Sequence, residues 1–332
     1  MLRGNWFVLM PMSFADPEAL NAQFLAALAE DRKGHDVPEH RARWLFAERL
    51  NARGDRKEMG FAAYEGIGHL VKFFNWHIRG QFPDPFAPSQ IDPLVEAATA
   101  TDDRVFASLG LIDKSRMIPR IARYNAQDHI LMHAYPVPAR NVPRVLLDFG
   151  AGHGRLANLG FNAPDPEQRF AKMIAVDAIA STYFTHLSYY RALGLRVWEY
   201  LDHQGDKPAQ ADVARAMVDH DGIHLPTWRI DLVPDGSVDM VSCIQVLKEL
   251  PGLLVPDILK VFGRVTSVCG AIYIRDHQQF HNPNHMPVDL LLQANGFDRE
   301  FAPHWRDRIE IHGLPRIWRK VDPMHFVSDA NS

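Results

Sequence analysis

Short apolar runs and helical segments alternate along the second half of the chain. The apolar runs lie at 144–149, 172–176, 195–200, 238–244 and 271–274. Continuous apolar runs are typical of strands buried on both faces, and the helices between them favour a parallel sheet. Close to the carboxyl terminus, 301–306 and 309–319 predict an antiparallel pair of strands. The polar segment 202–226 predicts one additional helix.

The first 135 residues have instead the apolar periodicity of helices joined by proline-rich turns. Asp16 followed by Pro17 favours a helix start, because aspartate accepts at the N-cap and proline needs no amide partner at the first helical position. Further helices are predicted at 38–51, 58–79, 92–109 and 113–133. We therefore predict a helical domain over 1–138, acting as a lid that selects the substrate, and an α/β domain over 139–332.

Composition narrows the classes of function. The chain has 332 residues, and 36 Lys plus Arg against 40 Asp plus Glu leave a formal charge of -4. This balance argues against a protein whose main role is to bind nucleic acid. No stretch approaches the roughly 20 apolar residues of a membrane span. Cys243 and Cys269 give no disulfide framework that would indicate secretion. We expect a cytoplasmic protein without nucleic-acid or membrane partners, and the sequence leaves its oligomeric state open, a homo-oligomer included.

The most informative segment is the glycine-rich loop that follows the first apolar run, residues 148–154 (Asp-Phe-Gly-Ala-Gly-His-Gly). In an open α/β sheet, ligands bind beyond the carboxyl ends of the strands, where this loop is expected. A dinucleotide site would have a glycine at position 155, where this chain has Arg155. The carboxylate of Asp148 would also repel a pyrophosphate. The loop therefore favours a ligand other than a dinucleotide.

A second acid, Asp177, follows the next apolar run. A carboxylate at the tip of the second strand can accept hydrogen bonds from both hydroxyls of a ribose. Two acids around a glycine loop suit a ligand that combines a ribose, an ammonium and a sulfonium, which is the chemistry of S-adenosylmethionine (SAM). The alternative is a tight structural turn, with Asp177 as a charge at a helix N-terminus. The agreement of loop, acid and strand order favours the cofactor site.

Residues 144–320 resemble a class I SAM-dependent methyltransferase domain. The loop 148–154 resembles the first motif of that family, 230–241 the run into its fourth strand, and 295–297 the turn into its final strand pair. The resemblance implies a Rossmann-like doubly wound sheet, mostly parallel with an antiparallel last strand, and SAM as cofactor. It also implies a set of cofactor-binding residues, namely Asp148, Gly150, Ala151, Gly152, His153, Gly154, Asp177, Ala178, Asp231, Leu232 and Gln245.

Individual roles follow from the same resemblance. Asp177 matches the acid that binds the ribose, Asp231 the acid that reaches the adenine amino group, and Gln245 a residue on the methionine side. The segments 176–193 and 243–251 further resemble a group of sugar O-methyltransferases. This narrower resemblance implies that the partner is a small-molecule acceptor, either a sugar or a glycosylated metabolite.

Methylation of a hydroxyl requires a base that removes its proton, which contributes about 10²–10⁴ in rate. The candidates follow the fourth and fifth predicted strands of the family pattern, Glu249 and His277. We favour His277, because imidazole titrates near neutral pH. For either residue, the alternative is a solvated surface position. Three other functions stay open: N- or C-methylation of another natural-product intermediate, a non-catalytic SAM-binding partner protein and, more remotely, a nicotinamide dehydrogenase.

No metal site is predicted. His277 and His281 have the spacing of two ligands on one helical face. Pro283, however, interrupts any helix before His285.

Overall fold

Before the sheet, the described residues form four helices and a short helical stretch at 47–50. In the computed structural model the described residues are 16–34, 47–50, 63–76, 86–111, 118–133, 144–247, 250–276, 288–301 and 314–321. The four helices are α1 (Pro17–Gly34), α2 (Gly68–Trp76), α3 (Pro88–Ser108) and α4 (Ile118–His133). None of the helices in these ranges is long and apolar enough to cross a bilayer.

Two of the predicted helix boundaries are corrected. The helix predicted from residue 58 begins only at Gly68, because a turn precedes it in which Gly66 has a φ of +100° and the Glu65 amide donates to Nδ1 of His69. Conversely, α3 begins at Pro88, four residues earlier than predicted, with its proline in the first turn, where no amide partner is needed. Of the helix predicted at 38–51, only residues 47–50 are described, and they are helical.

The apolar runs form one eight-stranded sheet. Its strands are β1 (Val145–Phe149), β2 (Lys172–Asp177), β3 (Val197–Glu199), β4 (Gly222–Pro226), β5 (Val238–Ile244), β6 (Thr266–Asp276), β7 (Phe297–Phe301) and β8 (Leu314–Lys320). They lie in the order β3-β4-β2-β1-β5-β6-β8-β7. Strands β1 to β6 pair in parallel, whereas β8 pairs antiparallel with both β6 and β7. The predicted Rossmann-like fold class, mostly parallel with an antiparallel end, is confirmed.

Helices cover both faces of the sheet. The elements after β1 are α5 (Leu156–Asn162), α6 (Ala180–Ala192), α7 (Tyr200–His203), α8 (Gln210–Asp219), α9 (Val255–Val265) and α10 (Val288–Ala294), with a 3₁₀ helix at Thr227–Leu232. Leu147 of β1 belongs to a core shared with α1, α6 and α9. Its neighbour Leu146 belongs to a second core shared with α3, α4 and α5. Alternate residues of a strand point to opposite faces, so each face has its own core.

The segment 202–226 contains more than the single helix predicted for it. It includes the end of α7, all of α8 and the strand β4, which pairs with both β2 and β3. The strand was missed because its sequence, Gly-Ile-His-Leu-Pro, has a glycine, a histidine and a proline among five residues. His224 is nevertheless fully buried, in a polar network described below. The final strand pair also begins earlier than predicted, because β7 starts directly after Gly296, which has a φ of +82°.

The N-terminal helices pack into the α/β part of the chain. Phe24 of α1 lies 5.0 Å, between ring centroids, from both Tyr183 and Trp228. Asp31, also in α1, accepts hydrogen bonds from the hydroxyl of Tyr200 and the indole nitrogen of Trp228, at 2.8–2.9 Å. The predicted domain boundary at 138 lies outside the described residues and stays a prediction.

Candidate functional site

A cleft opens at the carboxyl ends of β1, β2, β4 and β5, where a doubly wound sheet binds its ligands. It encloses about 1070 Å³ of space, part of it open to solvent. The glycine loop lines one side of the cleft, and Phe73 and Leu50 line it from the N-terminal part. The other lining residues lie close to the ends of β2, β4 and β5, namely Asp177, Ala178, Ile179, Thr182, Thr227, Ile244, Gln245, Val246 and Leu250. The cleft is lined by Arg155 and by five predicted residues of the loop, namely Asp148, Gly150, Ala151, Gly152 and His153.

Each loop glycine has a left-handed backbone, with φ of +75° at Gly150, +59° at Gly152 and +80° at Gly154. A Cβ on Gly150 would lie 2.4 Å from Cγ2 of Val246, and one on Gly154 would lie 2.8 Å from His186. A Cβ on Gly152 would meet only the loop's own Gly150 carbonyl, at 4.0 Å. Packing therefore requires glycine at the first and third positions, whereas Gly152 leaves its main chain open to the cleft.

Asp177 ties the loop to the end of β2. Its Oδ2 accepts the amide of Gly152 at 3.1 Å, and its Oδ1 accepts the amides of Ala178 at 2.7 Å and Ile179 at 3.3 Å. Burial raises the pKa of this carboxyl, although hydrogen bonds from Thr182 and these amides oppose the shift. The carboxylate is held in a fixed orientation at the cleft wall.

Asp148 is the second acid of the cleft. It is buried, and the Ser242 hydroxyl donates to its Oδ1 at 2.7 Å. Burial raises its pKa to about 6, while Ser242 and the positive charge of Arg155 act in the opposite direction. A cation bound in the cleft would favour the ionised form of this carboxyl. The two acids therefore give the cleft a preference for positively charged ligands.

Two further predicted residues have constrained positions. Gln245 lines the cleft and has a φ of +61°. Its backbone N–H donates to the backbone carbonyl of Arg275 at 2.8 Å. A left-handed conformation at a non-glycine residue is costly and is characteristic of functional sites. The ring of His153 stacks on Phe73 of α2, with centroids 6.2 Å apart and planes at 22°. This contact joins the loop to the N-terminal part of the protein.

Three of the predicted cofactor-binding residues, Gly154, Asp231 and Leu232, do not line the cleft. The Asp231 carboxylate lies 3.4 Å from Nε of Arg229, and Leu232 is buried in the core. Thr227, the first residue after β4, lines the cleft instead. The sequence gives no signal for Thr227, because the polar sequence of β4 does not predict a strand that ends just before it.

The two predicted bases, Glu249 and His277, lie outside the described residues. The nearest described positions are Leu247, Leu250 and the end of β6 at Asp276. Their role stays a prediction. Within the described part of the chain, no group of three or more metal-ligating side chains could hold a metal ion. The histidines 281 and 285 are not among the residues described.

Comparison with known proteins gives similarity of fold alone. No family model and no curated protein matches the chain. A SAM-dependent methyltransferase from Methanosarcina mazei is 14% identical, covering 57% of this chain and 97% of that one, with a TM-score of 0.38. A TehB-like SAM-dependent methyltransferase from Corynebacterium glutamicum is 11% identical, with coverages of 55% and 83% and a TM-score of 0.35. A SAM-dependent methyltransferase from Leishmania major is 11% identical, with coverages of 75% and 89% and a TM-score of 0.36.

Proposed function

We propose that the protein is a SAM-dependent methyltransferase that methylates a hydroxyl of a small molecule, with a sugar or glycosylated metabolite as the leading acceptor. One observation carries the proposal: the bare peptide of Gly152 lies in a cleft lined by the carboxylates of Asp177 and Asp148. Two acids at this position favour a ligand that carries positive charge and hydroxyl donors, and they disfavour an anionic one.

The residues of the cleft fit the chemistry of SAM. Asp177 offers carboxylate oxygens to ribose hydroxyls, and Asp148 supplies negative charge for the ammonium and sulfonium groups. Apolar side chains such as Ile179 and Leu250 provide a surface for the adenine ring. A pyrophosphate would meet both carboxylates in the same cleft, so the charge distribution disfavours a nicotinamide dinucleotide.

Bound SAM would supply an electrophilic methyl group. The chain's own residues would hold the acceptor in line with it, and such alignment can lower a barrier by several kcal/mol. We propose that His277 or Glu249 takes the proton from the acceptor hydroxyl. Glu249 follows β5, whose carboxyl end lines the cleft, and His277 follows β6, which pairs with β5. Phe73 and Leu50 line the cleft from the N-terminal part, which supports a role for that part in covering the site and selecting the acceptor.

Calorimetric titration with SAM and with NAD tests the cofactor. We expect SAM to bind the wild type, and Asp177→Asn to weaken binding about 10- to 100-fold, because the substitution removes charged hydrogen-bond acceptors. Asp165→Asn is the matched control, since Asp165 also accepts a backbone amide, that of Glu167 at 3.0 Å, away from the cleft. Binding of NAD but not SAM, or no binding of either, would refute the proposal.

A mass-spectrometric screen with SAM and candidate sugars tests the acceptor. His277→Gln and Glu249→Gln should retain SAM binding, and the variant that lacks the base should turn over about 10²–10⁴ times more slowly. A methyl group found on nitrogen or carbon would favour the alternative acceptors. SAM binding without turnover on any candidate would favour a non-catalytic SAM-binding protein.

A further inference from the structure

Behind the glycine loop lies a buried chain of polar side chains that the proposed reaction does not use. It consists of Glu199 at the end of β3, His224 in β4 and His186 in α6, and all three side chains are buried. The Glu199 carboxylate bonds to Nδ1 of His224, and the two histidines face each other through their Nε2 atoms. Nδ1 of His186 then lies 3.2 Å from the carbonyl oxygen of Gly152. The polar chain therefore ends on the loop of the candidate site.

Hydrogen-bond chemistry determines where the protons of this polar chain lie. A carbonyl oxygen only accepts, so His186 carries a proton on Nδ1. The Glu199 carboxylate also accepts from the Tyr183 hydroxyl and the Leu201 amide, and Nδ1 of His224 is a further donor to it. The two facing Nε2 atoms would then present only lone pairs to each other unless one proton lies between them.

The contact between the two histidines is asymmetric, because only His224 has a carboxylate beside it. Burial and the neighbouring charge on His224 lower the pKa of His186 well below its usual range. His224 lies directly beside the Glu199 carboxylate, which compensates a buried positive charge. The other ionisable groups packed around the two rings are the hydroxyls of Tyr183 and Tyr190, from α6.

Contacts from both sides hold the Gly152 peptide. Its N–H donates to Asp177, and its carbonyl accepts from His186. The same histidine packs against Gly154, where a Cβ would lie 2.8 Å from the histidine Cβ. Glycine has the greatest backbone freedom of any residue, so a loop of this kind needs restraint from outside.

We propose that His186 is a positioning residue for the cleft, and that Glu199 and His224 hold its imidazole in the tautomer that donates to Gly152. The histidine fixes the orientation of the Gly152 peptide that a ligand meets. None of the three lines the cleft, so they act through the loop. The inference rests on the proposed function in taking SAM as that ligand.

Two substitutions of His186 separate positioning from simple structural support. The amide nitrogen of asparagine lies roughly where Nδ1 lies, and that of glutamine roughly where Nε2 lies. His186→Asn therefore keeps a donor to Gly152 and loses the contact with His224, whereas His186→Gln does the reverse. Each variant loses one buried hydrogen bond, so both should lose similar thermal stability.

SAM affinity should differ between the two variants. We expect His186→Gln to weaken SAM binding about tenfold and His186→Asn by less than about threefold. The matched control is His220→Gln. Nδ1 of His220 lies 3.1 Å from the Ala216 carbonyl, just before the amino end of β4 and away from the cleft. That control should lose stability and keep wild-type affinity. Equal SAM affinities for the asparagine and glutamine variants would overturn the inference.

A ligand-free measurement separates failure of this inference from failure of the proposed function. NMR of the wild-type protein labelled with ¹⁵N-histidine should show His186 protonated on Nδ1. Hydrogen exchange at the Gly152 amide should accelerate in His186→Gln and much less in His186→Asn. A His186 proton on Nε2 alone, or equal exchange in both variants, would overturn the positioning role whether or not SAM binds.

Discussion

The tight approach of Val246 to Gly150 makes Gly150→Ala an informative substitution. The new Cβ would have to occupy a φ of +75° and would lie 2.4 Å from Cγ2 of Val246. The left-handed backbone costs an L-residue about 1–2 kcal/mol. Overpacking of a closely packed contact adds about 1–3 kcal/mol. The substitution should therefore lower the free energy of unfolding by about 2–5 kcal/mol.

Gly194→Ala separates the two contributions. Gly194 has a φ of +85°, but nothing lies within 4 Å of a Cβ built on it, so only the backbone cost of about 1–2 kcal/mol applies. Val246→Ala removes both Cγ atoms, and in the double variant it should recover about 1–3 kcal/mol of the loss at Gly150. Urea denaturation of the single and double variants gives these values. Equal losses for the two glycine variants, or no coupling between positions 150 and 246, would contradict the packing argument.

Three further predictions follow from the charges. SAM affinity should fall as pH decreases through about 6, the pKa of Asp148, because a neutral carboxyl no longer attracts a cation; titration calorimetry at several pH values tests this. Burial lowers the pKa of His129 to about 3 and of His133 to about 4. Below the ordinary pKa of 6.5 these histidines bind protons in the unfolded chain and not in the folded protein, so the free energy of unfolding falls as the pH decreases from 6.5 towards these values. His129→Gln should therefore lose less stability on acidification than the wild type in urea denaturation, and an equal loss would refute this assignment. Asp128→Asn should destabilise the fold by about 3–5 kcal/mol in the same assay, because it leaves buried Arg275 without its carboxylate partner; a loss below about 1 kcal/mol would contradict it.

The sequence predicts those parts of the fold in which local pattern and tertiary environment agree. Strands β1 and β2 are buried on both faces, and their continuous apolar runs show it directly. The glycine loop could be recognised because three glycines within five consecutive residues indicate a tight turn with bare main chain, whereas its contacts with Val246 and His186 are visible only in the structure. These elements also fix most of the candidate cleft, including Asp148 and Asp177.

Elements stabilised by distant polar partners could not be predicted in the same way. His224 gives β4 a polar sequence, and its partners Glu199 and His186 lie 25 and 38 residues away. Without β4, the sequence assigns no position to the strand end at Thr227, and the family resemblance predicts Asp231 as the acid that reaches the adenine amino group. Its side chain instead pairs with Arg229.

The packing of α1 determines how the chain can be divided. A protein shortened to begin at residue 139 would keep the eight strands β1 to β8 and the whole glycine loop. It would nevertheless expose the apolar surface that Phe24 covers on Tyr183 and Trp228. It would also leave the indole nitrogen of Trp228 without the carboxylate of Asp31. We therefore expect such a protein to be less stable than one that keeps the first helix, whose apolar side chains belong to the core of the α/β part.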